Sequence, residues 1–369
     1  MQLLKPDPIG VSAQPKARKH KKLLSLIQKH KKVAAIILLA VVLLAGVIIF
    51  LITSNKGEQQ FDTISKKSNN AKTAYHAELT GKKVDSKSAV DQAVTAIMIE
   101  NSPDSRPQSG LKDSGVVFEA IAEGGITRFL VLYQTEKPQL VGPVRSLRIY
   151  YVDWLTPFEA SVAHVGGAQN ALDLVRGGGY RDIDQFFNGG YYWRASDRWA
   201  PHNVYTSFEK LDALNQARGY TTSKFTGWPR QAGKAAKEPT ATTINMTVSS
   251  PTFSPRYVYD KESNKYLRYH QDGEAHIDRE QGQIAPDTVI AIKVHEQLAS
   301  DGYREDIQST GNGKAYIFQN GTVVEGTWRK SSREAQLEFL DASGKAIKLN
   351  RGQTWITAVP EGGGGVVWQ

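Results

Sequence analysis

The 369-residue chain contains no cysteine. That absence removes a lipidated cysteine as anchor, a thiol nucleophile and any thiolate metal site. It also rules out disulfides, which a chain of this length does not need in order to fold outside a cell. Metal-ligand spacing is missing as well. His164, His202, His270, His276 and His295 form no H-x-H or H-E-x-x-H pattern, so neither a metal nor another cofactor is expected. A dispersed basic field is the third absence. The net charge is +9, but nine Lys/Arg in residues 1–32 against Asp7 alone supply eight of those charges. The remainder is nearly balanced, which removes nucleic acid as a partner for the bulk of the chain.

What is present begins with an uninterrupted apolar run, Val33 to Ile52, in which fifteen of twenty residues are Leu, Ile, Val or Phe. As a helix it would span about 30 Å, the depth of a bilayer core. At roughly −0.4 kcal/mol per large apolar residue its insertion is favoured by about 6 kcal/mol. Eight Lys/Arg lie between positions 16 and 32, against four in the twenty residues after Ile52. This excess predicts a single-pass signal anchor in the cell membrane, with a cytoplasmic N-terminus and the main part of the chain outside. No A-x-A site follows the run, which argues against a cleaved signal peptide.

The pattern divides the chain into a basic cytoplasmic tail (1–32), a transmembrane helix (33–52) and a polar extracytoplasmic stalk (53–90). A mixed α/β domain (91–228), a linker (229–243) and a β-rich domain (244–369) follow. The expected fold class is α+β, with the second outer domain mostly antiparallel. Short apolar runs at 96–99, 116–121, 127–133 and 160–165 read as strands; 146–156, 168–175 and 207–217 read as helices. Asn320-Gly321 between two apolar runs predicts a two-residue hairpin, because both residues of a type I′ turn need positive φ. Arg256–Asp260 with Tyr266–His270, and Leu337–Leu340 with Ala346–Leu349, read as two more hairpins.

Three stretches, VGPVRSLR at 141–148, HVGG at 164–167 and RASDRWAPHNVYT at 194–206, follow EGGITR at 123–128. With GTW at 326–328 and GQTWI at 352–356, they resemble the YerB-like family of bacterial envelope lipoproteins. The resemblance spans roughly 91–360 and implies a two-part domain of unknown function held outside the membrane. It carries no established catalytic residues. Here a transmembrane helix stands in place of the lipidated cysteine.

Candidate chemistry gathers at a few places. Arg145 and Arg148, three apart at a predicted helix start, would share one face and suit a phosphate or carboxylate; alternatively they pair with Glu119, Glu123 or Asp197. The loop holding Arg194, Asp197, Arg198, His202 and Asn203 is the densest polar run. His202 could serve as a general base oriented by Asp197, with Ser146 as nucleophile, although no G-x-S-x-G elbow surrounds Ser146. Glu119 and Glu123 would lie about 13 Å apart along one strand face, beyond the roughly 5–9.5 Å of glycosidase pairs, so one of them would act alone. Arg128 and His164 complete the set of ligand-binding candidates. The leading expectation is a protein without enzymatic activity that binds cell-wall glycan or peptide, or an envelope protein. The alternatives are a hydrolase or lyase acting on wall polymer through Glu and His, and an assembly scaffold.

Overall fold

The structure is a computed structural model that describes residues 74–369. The basic tail, the apolar run 33–52 and the first part of the expected stalk lie outside the described residues. Among the described residues no helix is long and apolar enough to cross a membrane.

Apolar runs of five to nine residues closed by Gly, Pro or Asn make this part mostly β, with few helices. Strands β1 (Thr95–Glu100), β2 (Val116–Glu123) and β3 (Ile126–Tyr133) come first, then helix α1 (Ile149–Leu155). Next are β4 (Ser161–Ala163), α2 (Gln169–Arg176), β5 (Arg181–Asp182) and α3 (Phe208–Arg218). The later part contributes β6 (Thr243–Thr247), β7 (Arg256–Asp260), β8 (Lys265–Tyr269) and β9 (Thr288–Val294). It ends with β10 (Gly311–Gln319), β11 (Thr322–Lys330), β12 (Glu338–Leu340), β13 (Thr354–Pro360) and β14 (Gly365–Trp368).

Ten of these strands form one sheet, ordered β12-β11-β10-β9-β13-β2-β3-β1-β4-β5. Strand β13 runs parallel to both β9 and β2. Strands from both of the outer domains expected at 91–228 and 244–369 therefore share one sheet. Local patterning cannot reveal this, because a parallel neighbour can lie anywhere along the chain. The expected linker is tied down as well. Arg230 and Gln231 pair with Leu349 and Asn350, and Arg230 donates to the Leu79 carbonyl at 2.5 Å. Residues 74–90 are folded too, where a stalk was expected: Tyr75–His76 pairs with Lys83–Val84, and Leu79 is buried in the core.

The sheet buries both faces, which is why its central strands read as continuous apolar runs. On one face α1 and α2 pack through Tyr151, Trp154 and Val175, with Trp154 stacked on Phe118 at 5.4 Å. On the other lie α3 and a four-stranded sheet ordered β8-β7-β6-β14, through Phe208, Leu211, Met246 and Tyr257. The β10–β11 turn has Asn320 at φ +61° and Gly321 at φ +76°, as the sequence predicts. The β7–β8 hairpin also forms, with strictly alternating burial. Of the third expected hairpin only a Leu340–Ala346 bridge forms, since Leu349 leaves to pair with Arg230.

Candidate functional site

Strands β1, β4 and β5 run parallel, and their carboxyl ends open onto loops, the usual place for a ligand crevice. Glu100 closes β1, and its carboxylate is almost wholly buried. The segment 141–148 crosses beside it as extended chain. Val144 bridges Ile99, and the Arg145 amide donates to the Met98 carbonyl at 2.9 Å. Gly142 permits this crossing, because a Cβ there would meet the Tyr205 ring at 2.8 Å and the Val204 carbonyl at 2.9 Å. The crossing sets the Arg145 guanidinium 3.2 Å from one Glu100 oxygen.

From the opposite side the 195–203 loop brings His202. Asn203 staples that loop, accepting from Arg194 at 2.8 Å and donating to the Ala195 and Arg198 carbonyls. His202 Nδ1 lies 3.0 Å from the second Glu100 oxygen, and Ser102 Oγ donates to the first at 3.1 Å and lies 3.2 Å from His202 Nδ1. His202 Nε2 faces a cleft of about 730 Å³, 3.9 Å from Asp104.

Arg106, Asp197, Arg198, Trp199 and Arg279 line the same cleft. Arg198 is held rigid by donating to the Asp104 and Pro107 carbonyls at 3.1 and 2.6 Å. Arg279 donates to Asp197 at 2.6 Å, and Trp199 is 90% exposed. Arg106 and Pro107 also form the wall of a second hollow of about 570 Å³, which holds His270. Burial, then the nearby Arg268, pushes Arg106 down to about 10; burial, then Arg106, pushes His270 down to about 4.

Both parts of this arrangement match known family models. Residues 79–221 match the N-terminal domain, and residues 244–356 the C-terminal domain, of "Protein of unknown function (DUF3048)". The chain belongs to the DUF3048 family. It is 32% identical over 322 residues to a Bacillus subtilis (strain 168) protein named "Putative lipoprotein YerB", covering 85% of this chain and 93% of that one. A crystal structure of YerB protein from Bacillus subtilis aligns with a TM-score of 0.70 at 30% identity, over 79% of this chain and 99% of that one. The resemblance read from 141–148, 164–167 and 194–206 thus holds, and with it the two-part organisation of the family.

Within this DUF3048 protein the candidates separate. His202, Asp197 and Arg198 meet at the cleft, with Arg145 behind and Arg194 and Asn203 fixing the loop. Asp197 does not orient His202; Glu100 does, because Asp197 points outward to Arg279. Arg145 and Arg148 do not share a helix face. Both precede α1, with Arg148 its extended N-cap residue, and they serve different carboxylates.

Arg148 and Arg128 hold Glu123, at 3.0 Å through Arg148 Nε and 2.6 Å through Arg128. Burial would raise that carboxyl, but the two guanidinium groups outweigh it and hold it below its usual range. Ser146 contributes only its carbonyl, which accepts from Arg128 at 2.9 Å, so the nucleophile reading finds no geometry. A bulge between Ile121 and Glu123 also ends the strand parity that would have given Glu119 and Glu123 one face. Glu119 instead bonds Arg268, at 2.9 Å, on the opposite side of the sheet. His164 is fully buried, between the Gly166 carbonyl at 2.8 Å and Asp182 at 3.0 Å, and locks the ends of β4 and β5.

Sequence reasoning missed Glu100, Ser102, Asp104, Arg106 and Arg279. Glu100 did carry a signal, as the charged residue that closes the apolar run 96–99 just before Asn101-Ser102-Pro103.

Proposed function

We propose that this is a membrane-anchored extracytoplasmic protein that binds cell-wall glycan in the cleft between the 101–107 and 195–203 loops. The name of the Bacillus subtilis relative, a lipoprotein, supports the envelope location, and the run 33–52 supplies the anchor. The observation that carries the ligand class is Trp199, whose indole stands 90% exposed at a cleft lined by both Asp and Arg. A flat apolar ring face suits a sugar ring. Asp104 and Asp197 accept from hydroxyls while Arg106, Arg198 and Arg279 donate to them. A purely anionic ligand would gain nothing from the two carboxylates.

The unit from Lys72 to Gln369 is compact by itself, and the solved relative covers about that extent. This unit should co-sediment with purified sacculi. Trp199→Ala should weaken retention about tenfold, the loss of roughly 1.4 kcal/mol of ring contact, while leaving the melting temperature unchanged. Equal sedimentation of variant and parent would reject the site.

A further inference from the structure

The cleft contains more than binding groups. Glu100 is only 3% exposed, as the terminal residue of a central strand, and both of its oxygens are engaged. One meets the Arg145 guanidinium and the Ser102 hydroxyl; the other meets His202 Nδ1 at 3.0 Å. A carboxylate accepts and does not donate, so the hydrogen of the neutral imidazole resides on Nδ1. The lone pair of Nε2 then projects toward the cleft, where an Asp104 oxygen lies 3.9 Å away. A buried carboxylate fixing one ring nitrogen while the other faces a ligand cleft is the arrangement of a general base. A merely structural histidine uses both nitrogens in the interior, as His164 does here.

The surrounding groups narrow the reaction. Most glycosidases place two carboxyl groups on either side of the scissile bond. The carboxylates lining this cleft, Asp104 and Asp197, do not supply that pair: Asp104 sits beside the imidazole, and Asp197 is bound to Arg279. A Ser nucleophile is not placed either, since Ser102 lies on the Nδ1 side of the ring, behind the base. One base, water, and guanidinium N–H groups such as those of Arg198 suffice for the hydrolysis of an ester.

We infer that Glu100 and His202 form a dyad that hydrolyses an acyl ester carried on a sugar hydroxyl of the bound glycan, an activity that rests on the glycan-binding reading of the same cleft. His202 Nε2 takes one proton from a water molecule while the water oxygen forms a bond to the acyl carbon. The negative charge that develops on the carbonyl oxygen is met by arginine N–H donors. Collapse of the intermediate breaks the bond between the acyl carbon and the sugar oxygen, and the imidazolium returns its proton to that oxygen. The products are a free sugar hydroxyl and a carboxylic acid, which loses its proton to solvent. His202 is the catalytic residue; Glu100 is a positioning residue that fixes its tautomer.

The test follows acetate release from O-acetylated sacculi and from O-acetylated chitooligosaccharide, with binding measured on the same samples. The parent protein should bind both and release acetate. His202→Ala should lower release by about 100-fold or more. Glu100→Gln should lower kcat with little change in KM, a split that general loosening of the fold would not produce, and its melting curve identifies any variant that fails to fold. Binding by the parent without acetate release would overturn the dyad and leave the glycan reading intact. Absence of both would overturn the two together. Release that persists in His202→Ala would place the chemistry elsewhere and overturn the assignment.

Discussion

The pair Glu119–Arg268 offers the sharpest test of how the two parts of the chain are joined. Glu119 belongs to β2 and Arg268 to β8, and both side chains are removed from solvent. One Glu119 oxygen receives Arg268 at 2.9 Å and the other receives Trp355 Nε1 at 2.9 Å. The Arg268 guanidinium lies over the Trp355 ring at 4.5 Å and donates to the Tyr257 hydroxyl and, at 2.8 Å, to His276 Nδ1. Glu119→Gln leaves that cation buried without a counter-charge, a loss of about 3–5 kcal/mol for a broken buried pair. The bonds to Tyr257 and His276 remain, which puts the expected loss near the lower end, about 3 kcal/mol. Arg268→Met strands the carboxylate with Trp355 and should cost about the same.

The double variant removes both charges and should lose far less than the sum, with a coupling of about 2 kcal/mol or more. Urea denaturation of the unit 72–369, followed by tryptophan fluorescence and by far-UV circular dichroism, measures all four corners of the cycle. The two probes should trace one transition, because β13 joins the halves. Single-variant losses that simply add to within about 0.5 kcal/mol, or two separate transitions, would refute the reasoning.

Two further outcomes are expected. Burial, then the neighbouring Glu305, raises the Glu296 carboxyl to about 7 from an ordinary 4.5, and one of its oxygens is buried without a partner. A raised carboxyl penalises the fold when ionised, so the penalty enters as pH rises above 4.5 and is complete above about 7. Glu296→Gln should therefore stabilise the protein at pH 8 by on the order of 1 kcal/mol and leave it unchanged at pH 4; equal melting shifts at both pH values would contradict this. On the proposed reading that the run 33–52 directs export and anchoring, its deletion should leave the remainder of the chain in the soluble cytoplasmic fraction. Recovery of the deletion variant in the membrane pellet would show that another segment does this work.

Local elements were legible because local chemistry specifies them. Asn320-Gly321 announces its hairpin, the runs at 116–121 and 127–133 lie within the central strands β2 and β3, and Ser207 caps α3 by accepting from the Lys210 amide. Long-range pairing was not legible. Nothing in Thr354–Pro360 marks it as the neighbour of Val116–Glu123 more than two hundred residues earlier. At the site, the 194–203 loop stood out by its density of polar groups, and three of these, Asp197, Arg198 and His202, line the cleft. The orienting carboxylate did not stand out, because Glu100 lies on a distant strand while Asp197 is close in sequence and offered the nearer partner. For the arginines at 145 and 148 the difference lies in where α1 starts, at Ile149. The chain stays extended through Arg148, so their spacing of three carries strand geometry and divides them between Glu100 and Glu123.

The place of β13 also governs the order in which the protein can be completed. Strands that leave the ribosome early, β1 to β3, form an antiparallel group whose β2 edge waits for a neighbour more than two hundred residues downstream. Until Thr354–Pro360 arrives, that edge is open to pairing with another chain, and the aromatic surface around Phe129 lacks the Trp355 that covers it at 5.2 Å. If the chain is exported as proposed, late closure is an advantage. Such a chain would remain incomplete and threadable during its passage and close only once Thr354–Pro360 can pair with Val116–Glu123.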